Sequence, residues 1–181
     1  MIANTLFDRE KSMEAVLYIA QKIGGRKDMH KIFKTLYFAD KAHLSRYGRS
    51  ITGDSYIAMS YGPVPSRTDD IFKAVRGDSY FSNRAEELKG YFHFINKYVI
   101  EADKDADLDY LSDTDVECLD YAINKCKGKT FGKLTEMSHD LAWNNTLRDR
   151  EMSVKDILRE NGENEDYVEY VASKLEVENT F

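Results

Sequence analysis

Only two prolines occur in 181 residues, and both fall in Tyr61-Gly62-Pro63-Val64-Pro65-Ser66. Proline fixes φ and removes a backbone donor, while glycine opens the left-handed half of the backbone map. Gly-Pro-x-Pro-Ser therefore reads as an extended segment that turns sharply into a helix. Everywhere else the chain is free of the strongest helix breaker. Hydrophobic residues make up 42% and charged residues 32% of the chain, a balance that excludes disorder and predicts a folded protein rich in helix.

The first predicted helix, near residues 9–23, places Met13, Val16, Leu17, Ala20 and Ile23 on one face before Gly24-Gly25 stops it. The second is longer. Asp28 is its N-cap, and Met29, Ile32, Phe33, Leu36, Tyr37 and Leu44 form a stripe that runs to about Tyr47 and ends at Gly48. Phe38 and Ala39 widen that stripe, which predicts a central helix packed on more than one side.

After the turn signal Thr52-Gly53-Asp54, residues 55–61 predict a short strand ended by the Gly-Pro corner, and Ser66 with Asp69 predicts a partly capped helix closed by Gly77. A loop through Asn83 leads to Tyr91–Ile100, a β-favouring run expected to pair with the earlier strand. The back half turns helical. Ser112 caps a helix carrying Val116, Leu119, Ile123 and Cys126; Thr130 caps one with Leu134, Met137 and Leu141 inward; Ser153 and Asn164 open the last two. The predicted fold is α+β, a mainly helical domain around a central helix with a small antiparallel sheet. Asn144-Asn145 divides residues 1–145 from 146–181, the latter read as a helical extension of the same domain.

Few residues combine into a reactive pattern. Cys118 and Cys126 lie on one helix about 12 Å apart at 1.5 Å rise per residue, too far for a disulfide, and read as reduced core thiols. His30, His43, His93 and His139 include no His-x-x-x-His pair and no Cys-x-x-Cys partner, so neither a metal nor a cofactor is expected. Asp40 and His43, three apart on the central helix, share a face as an acid–base pair would, although the same spacing serves a structural hydrogen bond. Gly24-Gly25-Arg26-Lys27 precedes a helix without phosphate-loop spacing, and the basic residues from Lys22 to Lys34 lack a helix-turn-helix context. Catalysis is not expected.

The net charge of −6 is unevenly spread: residues 1–80 carry 13 basic and 9 acidic side chains, residues 81–181 carry 13 and 23. Such a chain suits a basic protein partner on its acidic half better than a nucleic acid. No segment is apolar enough for a membrane span and Met1-Ile2-Ala3-Asn4 does not open a signal peptide, so a cytoplasmic protein is expected.

Three segments resemble one family. His30–Gly48, with its Tyr37-Phe38-Ala39 core, His43-Leu44 and Tyr47-Gly48 stop; Ile57–Val64, with Gly62-Pro63-Val64; and Ser138–Trp143, with His139 and Trp143 spaced as His-x-x-x-Trp, together look like the SocA-like antitoxin family, also called the Panacea domain. The resemblance covers about residues 28–145. It implies an antitoxin, or an antitoxin-like domain of a phage-associated gene, that neutralises a cognate toxin encoded beside it through direct protein contact. Members are often fused to a DNA-binding domain that represses their own operon. Residues 146–181 do not look like one, and DNA binding is not expected without it. The expected contact surface combines the outer side of the central helix near Asp40, Lys41 and His43 with the corner at Tyr61, Gly62, Pro63 and Val64. Two rival readings are a phage-associated regulator or proteolysis adaptor that binds a host protein, and a small enzyme using Asp40 and His43.

Overall fold

The computed structural model describes residues 6–78, 80–81 and 86–180; the expected loop at Asn83 and the start of the chain at Met1–Asn4 lie outside them. The order is α1 (Arg9–Lys22), α2 (Met29–Tyr47), β1 (Tyr56–Met59), β2 (Gly62–Pro65), α3 (Ser66–Arg76), β3 (Phe92–Phe94), β4 (Ile100–Ala102), α4 (Asp113–Cys126), α5 (Phe131–Ser138), α6 (Leu141–Asn144), α7 (Val154–Glu160) and α8 (Glu165–Glu178). The fold is α+β and mainly helical, with two small antiparallel sheets.

Helix α2 is the axis. Asp28 accepts a hydrogen bond from the Lys31 amide at its start, and Gly48 closes it at φ 70°, a left-handed position that a side chain would strain. From Ile32 to Leu44 every residue is buried, because α1, α4, α5, α7 and β2 surround the helix. Tyr37, Phe38 and Tyr56 meet on one side, and Phe33, Phe72 and Phe92 on another. Cys118 and Cys126 are free and buried on α4, and burial pushes the Cys118 thiol up to about 11.

Two expectations about strands are corrected. Tyr91–Ile100 does not pair with β1. It folds into its own hairpin of β3 and β4, with Phe92 opposite Ala102, because Asn96 accepts the amides of Tyr98 and Val99 and turns the chain back. Nor does the Gly-Pro corner end β1, since it is the start of a second strand. Ser60 and Tyr61 form the turn without a positive φ, Gly62 takes φ 101°, and β2 returns with Tyr56 opposite Pro65 and Ala58 opposite Pro63. Prolines tolerate this position because their missing donors point to the side of β2 away from β1.

The other edge of β1 is taken by residues 149–152. The Ala58 amide donates to the Arg150 carbonyl at 2.9 Å, the Met152 amide to Tyr56 at 2.8 Å, and the Asp149 amide to Ala58 at 2.8 Å. Further along, Asn161 reaches the Lys41 carbonyl, Tyr167 reaches that of Ser45, and Val168 and Val171 enter the core.

Cap chemistry departs from expectation in two places. Helix α3 receives no cap from Ser66. Asp54, far back in the chain, accepts the amides of Arg67 at 2.9 Å and Thr68 at 2.8 Å and the Thr68 hydroxyl at 2.8 Å. The predicted helix from Thr130 through Leu141 breaks at His139, and Asp140 caps a new short helix, leaving Leu141 45% exposed instead of inward. Ser112 forms a full capping box with Asp115.

Leu36 is wholly buried on the side of α2 that several elements share. Leu36→Ala is expected to lower the unfolding free energy by about 2–5 kcal/mol through lost burial and the cavity left behind. Urea denaturation measures this directly, and a loss under about 0.5 kcal/mol would be too small for a core position.

Candidate functional site

The expected pair on α2 is consumed by the fold. Asp40, Lys41 and His43 are 3%, 9% and 0% exposed, so the helix face predicted to be open to a partner is closed. Asp40 accepts the amides of Ile51 at 2.7 Å and Thr52 at 3.1 Å, the Thr52 hydroxyl at 2.7 Å and the Tyr56 hydroxyl at 2.7 Å. Burial pushes its carboxyl above the ordinary range, and these hydrogen bonds pull it back.

His43 donates from Nδ1 to the Arg49 carbonyl at 2.8 Å. Its Nε2 lies 2.9 Å from the Thr114 hydroxyl and 3.2 Å from Asp115 Oδ1, and burial lowers the pKa of the ring. The two side chains therefore hold residues 49–52 from inside. A cavity of about 670 Å³ beside α2 is lined by Asp40, Lys41 and Tyr56 with Leu44, Ile157 and Leu175, but not by His43. The acid–base pair is not assembled there. Lys41 is also engaged, with Asp140 at 3.0 Å, and Asp140 accepts the Tyr37 hydroxyl at 2.7 Å as well.

A different constellation forms beneath the corner. Lys34 is 1% exposed, and its Nζ donates to the Pro63 carbonyl at 2.7 Å. Among the described residues no carboxylate forms an ion pair with it, and desolvation lowers its pKa to about 7. A residue in a strand points its amide and carbonyl to the same side. The side on which proline lacks a donor is thus the side on which its carbonyl needs one, and Lys34 supplies it. Gly62 lies directly on this lysine: a Cβ there would stand 2.7 Å from Lys34 Cε and collide with Ser138 Oγ.

Two imidazoles flank the same corner. His30 Nε2 donates to the Tyr61 carbonyl at 3.3 Å and sits 3.0 Å from Thr135 Oγ1, while its ring stacks on Phe131 at 3.9 Å. Burial and the charge of Lys34 lower its pKa to about 4. His139 bonds the Ser60 backbone and stacks on Trp143 at 3.6 Å, and Trp143 Nε1 donates to the Met59 carbonyl at 2.9 Å. His30 Nδ1 and His139 Nε2 are buried without a hydrogen-bond partner among the described residues.

The result is an amine and two imidazoles, each with a lowered pKa, packed beneath one hairpin turn. Among the described residues no three His, Cys, Asp or Glu side chains group as metal ligands. What faces outward is aromatic. Tyr61 is 63% and Phe131 52% exposed, and their rings meet edge to face at 5.3 Å. Of the expected corner residues, Gly62 and Pro63 are buried and Val64 is half-buried. Sequence reasoning missed Lys34, His30, Phe131 and Ser138 as companions of the corner. The family-like segments contain His30, Lys34 and Ser138 and were the available signal for these three; nothing in the sequence pointed to Phe131.

The geometry defines an α+β protein in which Lys34, His30 and Trp143 support a surface corner from beneath. A comparison with protein families matches residues 32–144 to the model described as "Antitoxin SocA-like, Panacea domain", and the chain belongs to this family. Comparisons with curated proteins and with solved structures find no match. Among the described residues no helix is long and apolar enough to cross a membrane.

The buried amine makes stability depend on pH with a definite sign. An amine whose pKa falls on folding binds fewer protons folded than unfolded, so stability rises with pH between about 7 and the ordinary lysine value and is level below about 7. Relative to Lys34→Met, the wild type should gain roughly 1.4 kcal/mol per pH unit across pH 7.5–9.5 in urea titrations. Parallel pH profiles for the two proteins would show that Lys34 titrates normally.

Gly62→Ala places a Cβ on Lys34 at φ 101° and should cost at least about 2 kcal/mol in strain and overpacking. A melting temperature equal to wild type would remove the close approach from the argument.

Proposed function

We propose that this chain acts as an antitoxin-like binding protein that neutralises a cognate toxin, encoded by a neighbouring gene, through direct protein contact and without catalysis of its own. The observation that carries the reading is the exposed Tyr61–Phe131 pair on a corner braced by hydrogen bonds from beneath. Gly62 and Pro63 are held by Lys34, and the backbone on the other side is held by Trp143 and His30. A preorganised turn loses little entropy on binding, and an aromatic at its tip supplies the anchor around which interface energy concentrates. Family membership supports the class of activity.

Tyr61 and Val64 make the contact in this reading, with Gly62 and Pro63 setting their position. Asp40, Lys41 and His43 contribute from inside, by fixing the 49–52 loop and the strand that follows it.

Co-expression with the product of the adjacent gene tests the proposal. Wild type should restore growth and copurify with that product, and Tyr61→Ala should weaken the complex by about tenfold or more while leaving the melting temperature unchanged. Absence of rescue and of a complex would reject the antitoxin reading, and full affinity in a folded Tyr61→Ala protein would move the contact surface elsewhere.

A further inference from the structure

The surface around the aromatic pair is basic in a way that no single stretch of sequence reveals. Arg26, Lys27 and Lys31 come from the α1–α2 connection and the start of α2, and Lys127 and Lys129 come from the α4–α5 connection more than ninety positions later. The fold brings these two connections together: Lys127 Cε lies 3.7 Å from where a Cβ on Gly24 would be, Lys31 and Lys129 both act on the Cys126 thiol, and His30, beside Lys31, stacks on Phe131. Among the described residues none of these five cations forms an ion pair. Asp28 is occupied in capping α2, and Glu136 in pairing with Lys133. The N-termini of α2 and α5 open at the same place and add partial positive charge.

We propose that this patch receives an acidic segment of the protein partner, one that lays carboxylates against Lys31, Lys127 and Lys129 and an apolar side chain against Phe131 and Tyr61. The inference rests on the antitoxin reading for the partner's identity but not for its chemistry. Charge complementarity selects an acidic surface and speeds its approach. A protein segment fits better than a nucleic acid. The chain is acidic overall at −6, and the surface beyond the patch is more acidic still, so a polyanion that ran past the patch would meet repulsion. A folded partner can confine its acids to the area of contact.

The test uses the full chain and the variant Lys31→Glu/Lys127→Glu/Lys129→Glu, whose substituted side chains have no partner to lose. Its folding is checked by circular dichroism and melting. Three labelled probes are titrated by fluorescence anisotropy at about 150 mM salt, where charges beyond about 8 Å are screened. They are a short peptide of alternating Glu with Leu and Phe, the same peptide with Lys for Glu, and an oligothymidine of equal length.

The acidic peptide should bind about tenfold or more tighter than the basic one, and the triple variant should lose that preference; Phe131→Ala should weaken the acidic peptide too. Equal binding of both peptides, or an unchanged preference in the folded triple variant, overturns the proposal. So does tighter binding of oligothymidine, which would assign the patch to nucleic acid. The triple variant is also assayed for rescue. Full rescue and affinity with the neighbouring gene product would overturn the acidic-segment inference and leave the antitoxin reading standing, whereas selective acidic-peptide binding with no rescue by wild type would support the patch and reject the antitoxin reading.

Discussion

A single hydrogen bond, from the Lys34 amine to the Pro63 carbonyl, organises the corner of the molecule around Tyr61. Two prolines in one strand leave its outer side without donors, and a buried carbonyl left unpaired there would cost about 1–3 kcal/mol. The lysine answers that need from the centre of α2. It does so without a carboxylate counter-charge, which is why its pKa falls to about 7. The close seat it requires excludes any side chain at position 62. Glycine, proline and lysine are thus three consequences of one contact.

The polar residues of α2 anchor distant chain. Asp40 gathers two amides and two hydroxyls from the segment leading into β1, and His43 holds the carbonyl of Arg49. Each of these side chains thus ties α2 to chain that lies outside it. Burying such groups is costly unless every partner is present, and here the loop from Arg49 to Tyr56 supplies them. The same logic places Asp54 at the start of α3 and Asp140 between Tyr37, Lys41 and α6.

With the interior groups committed, the outward face of the corner is left to aromatic rings and unpaired cations. His30 stacks on Phe131, and Phe131 meets Tyr61 edge to face, a ring series that runs from α2 through α5 to the hairpin turn. The charge division along the chain is not a division of the surface, because Lys127 and Lys129 of the acidic half come beside the α1–α2 connection and Lys31 of the basic half. A partner meets the local field of that surface, not the average of the sequence.

Helix positions, their caps at Asp28, Ser112, Thr130 and Asn164, and the burial of the α2 stripe were legible in the sequence, because periodicity and capping are set by residues within one or two turns of each other. The sharp corner was legible too, from Gly62 and Pro63. What the corner does was not. That β2 pairs back on β1, that residues 149–152 close the other edge, that Asp54 caps a helix from outside it, and that Lys34, His30 and Phe131 gather under Tyr61 all depend on contacts between residues tens of positions apart. Asp40 and His43 share a helix face, as their spacing required, but whether that face met water or protein was decided by what packed against it. Local chemistry determines which elements form; only the closing of distant contacts determines which side chains remain for a partner.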